Sequence, residues 1–113
     1  MKEAITQSTI YIGLNDALSG EQKFDTQKYV SILKMVCHNF QVAFSFHIME
    51  GGYFHENGMY VEETTLALMM VNTPEETVME IAKDLCGFFH QESVMVTTSP
   101  CSVVFVKEDV WQE

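Results

Sequence analysis

Two amphipathic segments with helical periodicity, set between segments with strand periodicity, restrict the possible folds of this chain more than any single motif. The first helix is predicted over residues 26–39, behind Asp25 as N-cap and with Phe24 packing on Tyr29 as a hydrophobic staple. The second begins at Thr73-Pro74-Glu75-Glu76, which places an N-cap, Pro at the first helical position and Glu at the third. Each segment carries one apolar stripe, so each helix needs a sheet or another helix to cover.

Strand-like alternation surrounds these two helices. The predicted strands cover residues 8–15, 42–49, 59–71 and 93–97. The order β-α-β-β-α-β predicts a ferredoxin-like α+β fold, with both helices on one face of an antiparallel sheet. Pro100 is expected to end the fourth strand, and residues 102–106 predict a short fifth strand or edge.

A length of 113 residues with 47% hydrophobic residues predicts one domain over residues 1–113 and excludes a disordered chain. No apolar run approaches the roughly 18 residues of a membrane span, and the first ten residues lack a signal-peptide core. Three cysteines without a C-x-x-C spacing fit a reducing compartment, so we expect a cytoplasmic protein. Cys86 and His90 have an i, i+4 spacing but no further ligand at a recognised spacing, so neither metal nor cofactor is predicted.

The charge balance indicates the kind of partner. Six Lys and no Arg stand against sixteen acidic residues, for a formal net charge of −10. Direct binding to nucleic acid or to an anionic membrane is therefore disfavoured, whereas a basic protein partner is electrostatically complementary. The candidate partner-binding residues are the acids of the hairpin and of the second helix: Glu56, Glu62, Glu63, Glu75, Glu76, Glu80 and Asp84.

Asn57-Gly58 between two strand-like segments predicts a β-hairpin with a two-residue type I′ turn. Such a turn pairs Tyr53 with Glu62. The same register would turn the apolar faces of the two strands apart, and one extra residue restores Phe46 opposite Leu68. We therefore predict a β-bulge at Gly51-Gly52.

This register also places Tyr53, His55, Tyr60 and Glu62 on one face, with Gln91 and Glu92 entering the sheet near the end of the first strand. These six residues are candidates for a small-molecule pocket, in which His55 and Glu62 would perform acid–base chemistry. The alternative is that the aromatic residues only stabilise the hairpin by cross-strand pairing.

The sheet face away from the helices is unusually apolar for a surface exposed to water. Pairing of two such faces in a homodimer, or cover from the C-terminal strand, would account for it. The residues expected there are Tyr11, Ala43, Ser45, His47, Thr65, Ala67 and Met69.

Several short motifs occur together in this chain: Ile10-Tyr11-Ile12-Gly13-Leu14, Gly51-Gly52-Tyr53, Glu62-Glu63-Thr64 and Phe89-His90-Gln91-Glu92-Ser93-Val94. In combination, over about residues 8–98, they resemble an uncharacterised family of short bacterial proteins whose second helix runs into a Phe-x-Gln-Glu-Ser-Val strand entry. The resemblance implies a ferredoxin-like fold and no known activity.

The leading functional prediction is a non-enzymatic acidic protein that occupies a basic surface on a partner that handles nucleic acid. An anti-CRISPR-like inhibitor of a host-defence nuclease, carried by a mobile genetic element, is the most specific form of this prediction. The alternative is a dimeric small-molecule-binding protein or cofactor-free enzyme that uses the hairpin face. A structural homo-oligomer is a third possibility.

Overall fold

The computed structural model describes residues 3–108, which form four strands and two helices in the predicted order. All strand pairs are antiparallel, and the sheet order is β2-β3-β1-β4, which confirms the ferredoxin-like fold. Between residues 3 and 108, no helix has the length and apolar character needed to cross a bilayer. The elements are β1 (Glu3–Gly13), α1 (Thr26–Phe40), β2 (Ser45–Phe54), β3 (Tyr60–Val71), α2 (Glu75–Phe88) and β4 (Met95–Val103).

One apolar core lies between the sheet and the two helices. Alternate residues of β1 and β3 face it, and α1 and α2 cover them with their apolar stripes, so both helices lie on the same side of the sheet. The rings of Tyr29 and Phe89 meet edge to face at 5.1 Å and join the start of α1 to the end of α2. The largest completely buried side chains include Ile10, Ile12, Leu14, Leu33, Leu66, Leu68, Ile81, Leu85 and Phe89.

The start of α1 follows the sequence prediction, whereas the start of α2 does not. The Asp25 carboxylate accepts the Lys28 N–H at 3.1 Å, and the rings of Phe24 and Tyr29 lie 6.0 Å apart. In α2, Pro74 rather than Thr73 is the N-cap, because Pro74 keeps an extended ψ of 141° and the helix begins only at Glu75. The predicted side-chain cap by Thr73 is therefore wrong.

The hairpin has the predicted core pairing, but the extra residue lies in the turn and not in a bulge. Phe46 lies opposite Leu68 as expected, yet the ladder continues without a bulge through Gly51 and Gly52. The extra residue lies in the turn, where the His55 N–H donates to the Met59 carbonyl at 2.9 Å and Gly58 has a φ of +87°. A three-residue loop with a left-handed glycine replaces the predicted two-residue turn. The predicted bulge and the pairing of Tyr53 with Glu62 are both wrong, since Tyr53 pairs with Val61.

The C-terminal strand runs through the predicted break. β4 is a single strand in which Pro100 lies opposite Thr6, and residues 104–108 form no strand. Because β4 is an edge strand, the missing N–H of Pro100 need not cost a ladder hydrogen bond. The predicted separate fifth strand is therefore wrong.

Candidate functional site

A cleft of about 350 Å³ lies at the end of the sheet where β1 finishes. Three connections meet there because the strands alternate in direction: the chain leaving β1, the β2–β3 hairpin, and the turn that leads from α2 into β4. The described residues that line the cleft are Asn15, Asp16, Ala17, Gly20, Tyr53, His55, Val61, Glu63, Gln91, Glu92 and Ser93.

The turn before β4 is held against the end of β1 by direct hydrogen bonds. The Gln91 side-chain amide donates to the Asn15 carbonyl at 2.5 Å, and the Ala17 N–H donates to the His90 carbonyl at 2.9 Å. His90 itself has a φ of +57°, a left-handed conformation that reverses the chain after α2. These contacts fix two of the three walls of the cleft relative to each other.

Asp16 anchors the loop behind the cleft. Its side chain is only 5% exposed and accepts hydrogen bonds from the Leu18 and Ser19 N–H groups at 2.8 and 3.2 Å. The His90 ring nitrogen lies 2.8 Å from the carboxylate, and the Lys23 ammonium lies 3.4 Å from it. Burial alone would raise the pKa of Asp16, but the two backbone hydrogen bonds and His90 outweigh it and lower the pKa to about 2. Asp16 is therefore ionised at neutral pH and serves as a structural anchor.

Glu63 is the carboxylate that the hairpin register brings into the cleft. It pairs with Gly51 across the ladder, and one carboxylate oxygen accepts the Asn15 N–H at 3.1 Å. The carboxylate lies against the backbone of Gly13, where an added Cβ would overlap it. Gly13 is therefore needed for the position of Glu63, and this pair links β1 to β3 at the floor of the site.

Tyr53 and His55 project from the same side of the hairpin as Glu63, with ring centroids 5.3 Å apart and an interplanar angle of 81°. Tyr60 and Glu62 lie on the opposite face, where the Tyr60 ring covers Gly52 and packs on Phe54 at 5.1 Å. The expectation that Tyr53, His55, Tyr60 and Glu62 share one face is therefore wrong. Because the loop contains one more residue than predicted, Glu63 takes the place expected for Glu62.

Four of the six residues predicted for a pocket do line the cleft: Tyr53, His55, Gln91 and Glu92. From the sequence alone, Asn15 and Asp16 are not expected in a pocket, and Glu63 is expected only to bind a partner. Recognition of a three-residue loop ending in Gly58 would have given the correct register and so the correct carboxylate. Asn15 and Asp16 follow directly on the first strand, which was the available signal for them.

The cleft opens onto a shallower groove of about 730 Å³ over the helix-free face of the sheet. The two share Tyr53, Glu63, Gln91 and Ser93, so they form one continuous surface. The described lining of both contains carboxylates and aromatic rings but no Lys. Such a lining suits a cationic small molecule with a planar ring, since carboxylates and the faces of aromatic rings both attract cations.

The other predicted site residues lie on two separate elements. Glu56 and Glu62 are exposed on the hairpin, and Glu63 belongs to the cleft. The acids of α2 are all exposed; they are Glu75, Glu76, Glu80 and Asp84. Glu75 and Glu76, at the start of the helix, lie at the end of the sheet away from the cleft. The i, i+4 pair Cys86 and His90 takes separate partners, since the Cys86 thiol donates to the Gln91 carbonyl and His90, which lies beyond the end of α2, contacts Asp16.

The chain matches no known protein family and no curated protein. Its fold is similar to that of a phage SAM lyase in complex with S-methyl-5′-thioadenosine, with a TM-score of 0.66 and 19% identity over 89% of this chain and 90% of that one. A phage SAM lyase in the apo state gives a TM-score of 0.66 with 18% identity, and the match covers 94% of each chain.

The periplasmic divalent cation tolerance protein CutA from Archaeoglobus fulgidus is more distant, with a TM-score of 0.49 and 16% identity over 90% of this chain and 86% of that one. At these identities the phage lyase structures share the ferredoxin-like fold with this chain.

Proposed function

We propose that this protein is a cofactor-free enzyme that binds an adenosyl sulfonium of the S-adenosylmethionine (SAM) class in the cleft and cleaves it as a lyase. The observation that carries the proposal is the fixed position of Glu63, which is tied to Asn15 and lies over Gly13 beside Tyr53 and His55. The likeness of the whole fold to a SAM lyase supports the choice of substrate.

The chemistry of the lining agrees with such a substrate. SAM carries a sulfonium and an ammonium, which the carboxylates of Glu63 and Glu92 complement. Its adenine ring is flat, and the half-exposed ring of Tyr53 offers a surface for stacking. The Gln91 side chain is already held by Asn15, so the polar wall is organised before the ligand binds.

S-methyl-5′-thioadenosine is the thioether that remains when SAM loses its 3-amino-3-carboxypropyl group, which is the amino-acid side chain of the sulfonium. The bond between the sulfonium sulfur and the side-chain methylene breaks, and its electron pair stays on sulfur, which becomes neutral. In one route the substrate's own carboxylate attacks this methylene carbon as the C–S bond breaks, which closes a lactone without proton transfer. In the other route a base removes a proton from the neighbouring carbon, and the C–H electron pair forms a carbon–carbon double bond. In the first route the cleft holds the substrate folded for attack; in the second, Glu63 and His55 are the candidate bases.

The test is incubation of the purified protein with SAM, with release of S-methyl-5′-thioadenosine followed by chromatography and mass spectrometry. Glu63→Gln is expected to lower kcat/KM at least tenfold, which corresponds to about 1.4 kcal/mol. Glu62→Gln is the matched control, because this neighbouring carboxylate lies on the opposite face of the hairpin. If the protein does not cleave SAM, the proposed lyase activity is refuted, and if it does not bind S-methyl-5′-thioadenosine either, the proposed ligand class is refuted as well.

The exposed acids of α2 support a second candidate function. Glu75, Glu76, Glu80 and Asp84 form a negative surface, to which we propose that a basic, nucleic-acid-handling protein such as a host-defence nuclease docks. Reversal of all four charges to Lys should abolish a salt-sensitive interaction with such a partner while leaving SAM cleavage unchanged. An interaction that ignores both salt and charge reversal would contradict this candidate.

We also propose that the helix-free sheet face joins two copies of the chain. This face exposes Met49 and Met95, with Met69 and Tyr11 half-buried between them. Tyr11, Met49 and Met95 also line the groove, so a second copy on this face would cover the groove. Light scattering should give the mass of a dimer for the wild type, and Met69→Glu should give a monomer. Membership of the uncharacterised bacterial family that the sequence resembles likewise stays a hypothesis.

A further inference from the structure

A second cavity, of about 620 Å³, lies at the opposite end of the sheet from the cleft. It forms where β1 begins, β3 ends, α2 starts and β4 finishes, so it touches most of the elements of the fold. Its walls are mainly apolar side chains, and Phe105 stands at its edge with 87% of its surface exposed. The apolar residues that line it include Ile5, Val42, Ala43, Val71, Val103 and Phe105.

The cavity differs from the rest of the surface in charge. Acidic and basic residues make up 19% of the chain, whose formal net charge is −10, yet none of the described residues that line this cavity carries a charged side chain. An ion that left water for this site would lose hydration without gaining a partner. The cavity therefore suits an uncharged occupant, in contrast to the acidic cleft at the other end.

Three polar residues, Gln41, Asn72 and Thr73, also line this apolar surface, and Thr73 is the buried one among them. Its side chain is only 8% exposed and lines the cavity, and it does not cap α2 although the sequence predicts that it does. Within residues 3–108 its hydroxyl has no hydrogen-bond partner. No side-chain nitrogen or oxygen of the described residues is both inaccessible and unpartnered, so the hydroxyl is reachable from the cavity. The hydroxyl is therefore open to solvent, and a ligand in the cavity could form with it the hydrogen bond that no described protein group supplies.

We infer that this cavity is a second small-molecule site, for an uncharged and mainly apolar compound whose single hydrogen-bonding group meets the Thr73 hydroxyl. The volume lies within the roughly 300–1,000 Å³ typical of ligand pockets. The combination of apolar walls with a few placed polar groups is also the usual one. This inference is independent of the function proposed for the cleft, which has a different lining at the other end of the sheet.

The experiment is a fluorescence titration of the full chain with N-phenyl-1-naphthylamine, a neutral apolar probe with one N–H donor. Wild type should bind it saturably at one site per chain. Ala43→Phe, which fills the cavity from an exposed position, should weaken binding at least tenfold. Thr73→Val keeps the shape and removes the hydroxyl, so it should weaken binding about threefold to tenfold, the range for one neutral hydrogen bond.

Two control variants test the location. Phe54→Ala removes an exposed apolar ring on the hairpin, and Glu63→Gln alters the cleft; both should leave the affinity for the probe unchanged. If Ala43→Phe does not fold, Phe105→Ala decides instead, because Phe105 is almost fully exposed and its loss should weaken probe binding without unfolding the chain. No saturable binding by wild type, unchanged affinity in the cavity variants, or an equal loss in Phe54→Ala would overturn the inference.

Discussion

Replacement of Gly13 by Ala tests the geometry of the cleft most directly. A Cβ at this position would overlap the Glu63 carboxylate, which must then move by about 1 Å to reach the ordinary contact distance that begins near 3.4 Å. Since the obstructing atoms are the end of a flexible side chain, the backbones of β1 and β3 need not shift. The displaced carboxylate would lose its 3.1 Å hydrogen bond from the Asn15 N–H.

The two consequences of Gly13→Ala differ in size. Loss of the bond between Glu63 and Asn15 costs about 1–1.5 kcal/mol, because the half-buried carboxylate can partly replace it with water. Alanine in a strand recovers about 0.5–1 kcal/mol relative to glycine. The free energy of unfolding should therefore change by less than about 1 kcal/mol. A misplacement of about 1 Å at a reacting site can cost about a hundredfold in rate, so kcat/KM for SAM should fall at least tenfold.

Urea denaturation and SAM turnover, measured on the same preparations, separate the two effects. Gly87→Ala is the matched control, since nothing lies within 4 Å of a Cβ built at Gly87 in α2. It should stabilise the protein by about 0.5–1 kcal/mol and leave turnover unchanged. If Gly13→Ala retains wild-type turnover, or if it loses turnover only by unfolding, the reasoning about Glu63 is refuted.

Three further predictions concern stability. Asp25→Ala removes the N-cap of α1 and should lower the free energy of unfolding, measured by urea denaturation, by about 1 kcal/mol. Asp84→Ala, which removes an exposed carboxylate that caps no helix, is the control and should leave the free energy of unfolding unchanged. The pKa of Asp16 is lowered to about 2 from 3.8, so its ionised form stabilises the fold above about pH 4 and this contribution disappears as the pH falls towards 2. Asp16→Asn should flatten that part of the acid-unfolding curve, and an unchanged curve would contradict the assignment. Gly58→Ala, at a φ of +87°, should lower the free energy of unfolding by about 1 kcal/mol, as thermal denaturation can show.

The hairpin shows how a correct pattern leads to a partly wrong site. Alternation in β2 and β3 requires Phe46 opposite Leu68, and the structure has that pairing. The sequence also requires one extra residue somewhere between these two positions, but periodicity cannot say where it lies. Two glycines at 51–52 and the Asn57-Gly58 turn were both able to supply it. The choice made at the turn decides whether Glu62 or Glu63 faces Tyr53.

Local chemistry along the chain determined the element order, the ferredoxin-like topology, the cap at Asp25 and the core stripes, because each depends on side chains that are close in sequence. Contacts between distant segments decided the rest. Asp16 meets His90, Asn15 meets Glu63, and the carboxylate fits over Gly13 only because the sheet places β1 beside β3 and the turn before β4 next to both. Such meetings depend on strand register and loop length, where a difference of a single residue reverses the face to which every following side chain points.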